Sequence, residues 1–182
     1  MKKLLFIIII VIVILIGLNF GNIKRYVLKK VYTVQYSEYV ELYAQEYNVD
    51  KNLIYAVIKA ESNFDTKAES HKGAKGLMQL MYPTAQDVAK ELKITIDEEI
   101  IIDPKVNINI GTKYISNLID KYGNIGVALA AYNAGSGNVD SWISNNTIQK
   151  DGSDIENIPY KETNNYVRKI LRDYNIYKEI YD

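Results

Sequence analysis

Hydrophobic positions divide the chain into one unbroken apolar run and a series of amphipathic stretches behind it. Leu4 to Leu18 contains no polar residue and follows Lys2 and Lys3. That pattern predicts a membrane anchor or a secretory signal segment over residues 1–21. The anchor is the preferred reading, because no A-x-A-like cleavage site follows the run. Lys24, Arg25, Lys29 and Lys30 come after it. With lysines ahead of the run as well, orientation stays open, and residues 22–34 read as a basic linker. From residue 35 to 182 the period is helical. Tyr36, Val40, Tyr43 and Tyr47 share a face. Asp50 is an N-cap for a helix bearing Ile54, Val57 and Ile58. Pro83 or Thr84 opens a helix with Ala85, Val88, Ala89 and Leu92 inward. Lys93 to Ile102 alternates weakly and reads as a short strand or extended loop. Asp103-Pro104 starts a helix with Ile110, Tyr114 and Leu118 inward that stops at Gly123. Ile125 to Tyr132 is the central buried helix, and Asn133 to Gly137 is the turn that ends it. Val139 to Ile143 forms another helical piece anchored by Trp142. Thr147 to Asn157 is loop. Lys161 to Ile180 is the last helix, with Tyr166, Val167, Ile170, Leu171 and Tyr174 inward. The fold class is all-α.

Composition narrows the chemistry. Lys plus Arg and Asp plus Glu are both 22, so the formal charge is zero and nucleic acid is not an expected partner. Cysteine is absent and His71 is the single histidine. Thiolate sites and Cys nucleophiles are excluded, a multi-His metal site is impossible, and no cofactor or metal is expected. His71 falls in a polar loop from Ser62 to Lys75 and reads as solvent-facing. Catalysis, if present, rests on carboxylates, Tyr, Lys or amides.

Glu61 is the position that stands out. It continues the apolar face of Ile54, Val57 and Ile58 at i+7, at the end of a helix. Burial and the negative end of a helix dipole both raise a carboxyl pKa, as a general acid requires. A Glu that snorkels at the helix end, or pairs with a buried Lys, explains the spacing equally well.

Four segments in order then resemble one family, the lytic transglycosylases of the soluble-transglycosylase type. They are AVIKAESNF around Glu61-Ser62, SHKGAKGLMQLM from Ser70 to Met81, NINIGTKYISNLIDKYG with ALAAYNAGSGNV, and IPYKETNNYV from Ile158 to Val167. The resemblance spans roughly Tyr36 to Tyr177. It implies a goose-type-lysozyme-like helical domain over residues 35–182, behind the N-terminal segment, acting on peptidoglycan glycan strands outside the cell membrane. By resemblance, Glu61 is the single catalytic acid and base, with Ser62 beside it as a substrate-binding residue. Ser70 and Gln79 hold the sugar, and Met78 and Met81 are apolar walls. Tyr132 and Asn133 face Glu61 across the cleft, and Glu162 is a second cleft carboxylate that binds without acting as nucleophile. The chain departs from the family at Asn164, where an Arg usually follows the Glu-Thr pair, and at Met81-Tyr82-Pro83, where the Met-Pro pair is split. The implied reaction cleaves between N-acetylmuramic acid and N-acetylglucosamine and leaves 1,6-anhydro-muramic ends. The alternatives are a muramidase, in which a second carboxylate such as Asp65 activates water, and a non-catalytic glycan-binding protein.

Overall fold

The computed structural model describes residues 2–182; Met1 of the 1–21 segment lies outside them. Regular structure among the described residues is helical apart from isolated bridges. The helices are α1 (Lys2–Val31), α2 (Ser37–Glu46), α3 (Lys51–Glu61), α4 (Tyr82–Leu92), α5 (Pro104–Tyr122), α6 (Ile125–Ala134), α7 (Ser136–Ser144) and α8 (Lys161–Tyr181).

Local chemistry sets their ends. The Asp50 carboxylate accepts from Asn52 N at 2.8 Å and caps α3. Asp103 accepts from Val106 N ahead of Pro104, and Asn124 accepts from Val127 N to cap α6. Gly135, at φ 86° and ψ 144°, turns α6 into α7 in a conformation open in practice to glycine alone. The core forms where α3 lies against α8 and α6 packs between α5 and α8. Every α3 residue from Asn52 to Ile58 is buried, and Glu61 ends that helix.

Two stretches differ from expectation. Residues 93–102 form neither a strand nor an extended loop throughout: a 3-10 turn covers Ile100–Ile102. The Asp97 carboxylate accepts from Glu99 N and Ile100 N at 2.9 and 2.7 Å, a local turn that competes with strand pairing. Ile101 is the buried anchor. The basic stretch 22–34 is helical as far as Val31 and is tied to α8. Lys24 pairs with Glu179 at 2.6 Å, and Arg25 Nη2 donates to Ile180 O at 2.7 Å. The hydroxyls of Tyr181 and Tyr177 donate to Tyr32 O and Thr33 O at 2.7 and 3.0 Å. Partners about 150 residues away in sequence hold this segment in place.

Ahead of that junction, α1 exposes Leu4 to Ile14, Ile16 and Phe20 with nothing packed over them. Among the described residues no single helix is long and apolar enough to cross a membrane. Lys3–Ile14 and Asn19–Val31, bent by 52°, pass that test only as a pair.

Candidate active site

Glu61 is part-buried at the end of α3 and lines a cleft of about 360 Å³ together with Ser70, Gln79, Met81, Tyr132, Asn133 and Glu162. Burial pushes its carboxyl up to about 7, against the pull of the Tyr166 hydroxyl and the Lys169 charge. Desolvation wins, so near neutral pH a large fraction of Glu61 carries the proton a general acid must give. The Tyr166 hydroxyl donates to Glu61 Oε1 at 2.5 Å. Burial and the nearby carboxyl raise Tyr166 and Tyr132 well above 10, so both remain neutral phenols.

The chain leaves α3 through a strained turn. Asn63 and Phe64 both have positive φ, at 50° and 68°, which is uncommon for a bulky residue. Ser62 Oγ holds this turn: it donates to Leu77 O at 2.8 Å, lies 3.2 Å from Ile58 O and accepts from Phe64 N. Its hydroxyl is engaged with backbone and holds the turn after Glu61, and Ser62 is absent from the cleft lining.

The floor of the cleft is the loop from Ser70 to Met81. Ser70 closes a tight turn, its N–H donating to Ala74 O and its Oγ accepting from Ala74 N. Gln79 sits at φ 47°, with Nε2 donating to Ala68 O and Gly76 O at 2.9 and 3.0 Å. Asn107, fully buried on α5, pins the loop. Its Oδ1 accepts from Met78 N at 2.7 Å, and its Nδ2 donates to Lys75 O and Ile101 O at 3.1 and 2.8 Å. Gly76 makes room for that amide: a Cβ there would stand 2.4 Å from Asn107 Nδ2.

Met78 is not a cleft wall. It is 0 % exposed, whereas Met81 is 41 % exposed and lines the cleft. The Met78 side chain is seated on α5 at Gly111, where an added Cβ would fall 2.4 Å from its sulfur. What Met78 gives the site is its carbonyl, which accepts from the Tyr132 hydroxyl at 2.6 Å.

Tyr132 and Asn133, at the end of α6, line the cleft with Glu61 as expected. Tyr114 supports the Tyr132 ring, with centroids 5.2 Å apart. Asn133 Oδ1 accepts from the buried Thr163 hydroxyl at 2.7 Å. Glu162 is exposed on the first turn of α8 at the cleft edge. Asn164 stands where the family's Arg would be, and its Nδ2 donates to Glu156 O at 2.8 Å and Ile155 O at 3.3 Å, fastening the preceding loop to α8. At the split Met-Pro pair, Tyr82 begins α4 and its hydroxyl donates to Ile96 O at 3.3 Å. His71 is exposed but belongs to the cleft lining, with Lys72 beside it.

Sequence reasoning missed the roles of Tyr166, Thr163 and Asn107. Thr163 and Tyr166 are spaced i, i+3 on α8, the first directly after Glu162 and the second one turn past it. A polar pair on the inward face of an otherwise apolar stripe was the available signal.

Comparison with known proteins agrees with this fold. A family model for the transglycosylase SLT domain matches residues 38–155. The soluble lytic murein transglycosylase of Escherichia coli K12 is 33% identical over 148 residues, which is 79% of this chain and 23% of that protein. Membrane-bound lytic murein transglycosylase C of Edwardsiella ictaluri is 35% identical over 116 residues, covering 58% of this chain and 32% of its own. Among solved structures, the 70 kDa soluble lytic transglycosylase of Escherichia coli superposes with a TM-score of 0.75 at 30% identity, over 83% of this chain and 25% of that one. An inactive mutant of the lytic transglycosylase Slt from Pseudomonas aeruginosa gives a TM-score of 0.73 at 32% identity, over 82% of this chain and 25% of that one. The chain thus spans about a quarter of the length of such relatives. With an all-helical body, four segments in family order and a domain match over most of that body, this chain belongs to the SLT-type lytic transglycosylase family.

Proposed function

We propose that the protein cleaves the β-1,4 bond between N-acetylmuramic acid and N-acetylglucosamine in peptidoglycan and leaves 1,6-anhydro-muramic ends. The observation that carries this reading is one part-buried carboxyl, pushed up to about 7, in a cleft otherwise lined by neutral hydrogen-bonding groups and exposed charges. Glu61 protonates the glycosidic oxygen. The substrate's own acetamido group stabilises the oxocarbenium-like centre. The Glu61 carboxylate then takes the proton from the muramic C6 hydroxyl as that oxygen closes on C1. The proton returns to Glu61, and no water is consumed.

In this reading Ser70 and Gln79 hold the sugar, Met81 is an apolar wall, and Tyr132 and Asn133 orient the acid and the acetamido group. Glu162 binds at the cleft edge. Hydrolysis needs a second carboxylate beside the bond to activate water. Asp65 is poorly suited: it is exposed, accepts from Lys67 N within its own loop and is absent from the cleft lining. The inactive Pseudomonas aeruginosa mutant and a complex of the 70 kDa soluble lytic transglycosylase with bulgecin A come from relatives of similar fold.

The exposed apolar length of α1 supports a membrane anchor, since so many uncovered large side chains on one helix are costly in water; the cleft then lies outside the membrane, where peptidoglycan is. The activity is tested by incubating purified peptidoglycan with the full-length protein. Soluble fragments should appear without an equivalent gain in reducing sugar. An equivalent gain would mean hydrolysis. The anchor is tested by membrane fractionation, where recovery in the soluble fraction with a shortened N-terminus would contradict it.

A further inference from the structure

The second half of α1 has two faces, and one of them packs on the body. Arg25 donates to Ile180 O, Leu28 packs on the core and Tyr32, just past the helix, is buried. The Tyr32 hydroxyl donates to the buried Asp173 at 3.1 Å, and Arg172 pairs with the same carboxylate. Lys59, in the wall of a second cavity of about 470 Å³ that Glu61 also lines, donates to Val31 O at 2.8 Å. Roughly opposite on the helix, Phe20, Ile23, Val27 and Val31 recur at i, i+3, i+7 and i+11. All four are more than half exposed, as is Tyr26 beside them. Lys24, Arg25, Lys29 and Lys30 lie in this stretch, and the first acid in the chain is Glu38. Lys24 is paired with Glu179, whereas Lys29 and Lys30 make no ion pair among the described residues. Lys30 Nζ lies 5.5 Å over the Tyr26 ring, at the edge of the exposed stripe.

We propose that Asn19–Val31 is an interfacial helix that docks the catalytic domain on an anionic lipid surface, with Phe20, Ile23, Tyr26 and Val27 at the headgroup boundary and Lys29 and Lys30 on lipid phosphates. The proposal rests on the anchor reading of the run ahead of it and is independent of the glycan-cleaving reading. Three observations favour lipid as the occupant. The stripe continues the exposed apolar run that begins at Leu4, so whatever solvent covers the one adjoins the other. The 52° bend between Lys3–Ile14 and Asn19–Val31 turns the second half toward the membrane plane. With the first half tilted by an ordinary ~20° in the same sense, the second half runs within about 20° of that plane. Third, an apolar stripe with a tyrosine, edged by lysines in a segment without an acid, has the composition of a helix lying at a headgroup boundary. A second copy seated on the same stripe would bring these lysines against each other, whereas lipid phosphates neutralise them. Because the segment is fastened to α8 and to Lys59, docking it fixes the orientation of the whole domain above the membrane.

The chain has no cysteine, so a single introduced thiol can carry a polarity-sensitive fluorophore. Full-length Val27→Cys and Ile10→Cys proteins are labelled and reconstituted in vesicles of phosphatidylcholine, with or without phosphatidylglycerol. Spin-labelled lipids then quench either at the headgroup or at the end of the acyl chain. The label at position 10 should be quenched from the acyl-chain end in both vesicles. The label at position 27 should be shielded from a water-soluble quencher and quenched from the headgroup, most completely with phosphatidylglycerol. Adding Lys29→Gln and Lys30→Gln, both exposed substitutions, should lower the docked-to-undocked ratio about fivefold per lysine, and high salt should lower it likewise. A label at position 27 that stays in water on anionic vesicles while position 10 is deep would overturn the docking and leave the anchor standing. Shielding that depends on protein concentration and is blind to headgroup quenchers would mean that a second copy covers the stripe, and would also overturn it. An undiminished ratio without Lys29 and Lys30 would overturn the assigned lipid contacts. If positions 10 and 27 both stay in water, the anchor reading itself fails.

Discussion

The two cavities that share Glu61 are built from different chemistry. On one side Ser70, Gln79, Tyr132 and Asn133 offer neutral hydrogen-bonding groups, and the charged Lys72 and Glu162 are exposed and opposite in sign. On the other side Lys59, Lys169 and Arg172 stand with one carboxylate besides Glu61, the already matched Asp173. The difference explains how an acid is kept near pH 7. Burial raises the Glu61 carboxyl, and the Lys169 charge pulls it only part of the way back. A cation closer to Glu61, inside the neutral cleft, would favour the carboxylate and remove the acid. Neutral groups thus surround the proton transfer, while positive charge stands on the other side of Glu61.

The largest effect should come from Glu61→Gln, which keeps shape and removes the proton. Cleavage of purified peptidoglycan should fall by at least on the order of a hundredfold while glycan binding persists. Near wild-type turnover would dissolve the distinction between the two sides. The same substitution has a stability signature. The native Glu61 titrates near 7 against 4.5 for the free side chain, so the folded state holds its proton more tightly. That contribution is fully present below about pH 4.5 and is lost as pH rises through about 7. Glu61→Gln should therefore be the more stable protein at pH 8, by up to roughly 3 kcal/mol. Denaturant midpoints at pH 4 and pH 8 test this, and an advantage that does not grow with pH would argue that Glu61 is not desolvated. Wild-type activity should likewise decline as pH rises through about 7.

Asn107→Ala comes next. It strips the partners from Met78 N, Lys75 O and Ile101 O and should cost about 2–3 kcal/mol of stability. Glycan binding should weaken as well, because the cleft floor rests on this amide. Tyr166→Phe removes the hydroxyl on Glu61 Oε1. It should lower cleavage about tenfold and move the alkaline limb of the pH profile upward, because the lost bond favours the carboxylate. A downward shift would contradict the assigned hydrogen bond. The smallest effect belongs to Met81→Ala, which should raise KM a few-fold and change stability by no more than about 0.5 kcal/mol. Met78→Ala at the buried counterpart should cost about 2–5 kcal/mol of stability.

Particular residues show what could be read without coordinates. Asp50, Asp103-Pro104 and Gly123 announce helix ends through local chemistry, and Glu61 is conspicuous because a carboxylate interrupts an apolar face. Tyr132, Asn133, Gln79 and Ser70 came from resemblance, and the cleft gathers all of them. The misses have a common cause: they depend on partners remote in sequence or on side-chain direction. Met78 and Met81 are alike in the sequence, and only the bare backbone of Gly111 turns one of them inward. Ser62 reads as a binding residue, and its bond to Leu77 O and its absence from the cleft lining appear only in three dimensions. Residues 22–31 carry charges suited to a linker, but the end of α8 supplies both the carboxylate and the carbonyl that fix them as helix. At 93–102 the weak alternation suggested a short strand or an extended loop; residues 94–97 are irregular, and the Asp97 turn leads into a 3-10 turn.

The most direct test of catalysis by Glu61 alone is to digest purified peptidoglycan in heavy-oxygen water and weigh the released muropeptides. Ring closure by the muramic C6 hydroxyl brings in no solvent oxygen, because the internal nucleophile already lies beside the reacting carbon. The fragments should therefore be anhydro sugars, one water lighter than hydrolytic products and free of the label. Fragments with reducing muramic ends that carry heavy oxygen would show that water is the nucleophile, and would contradict the single-carboxyl mechanism.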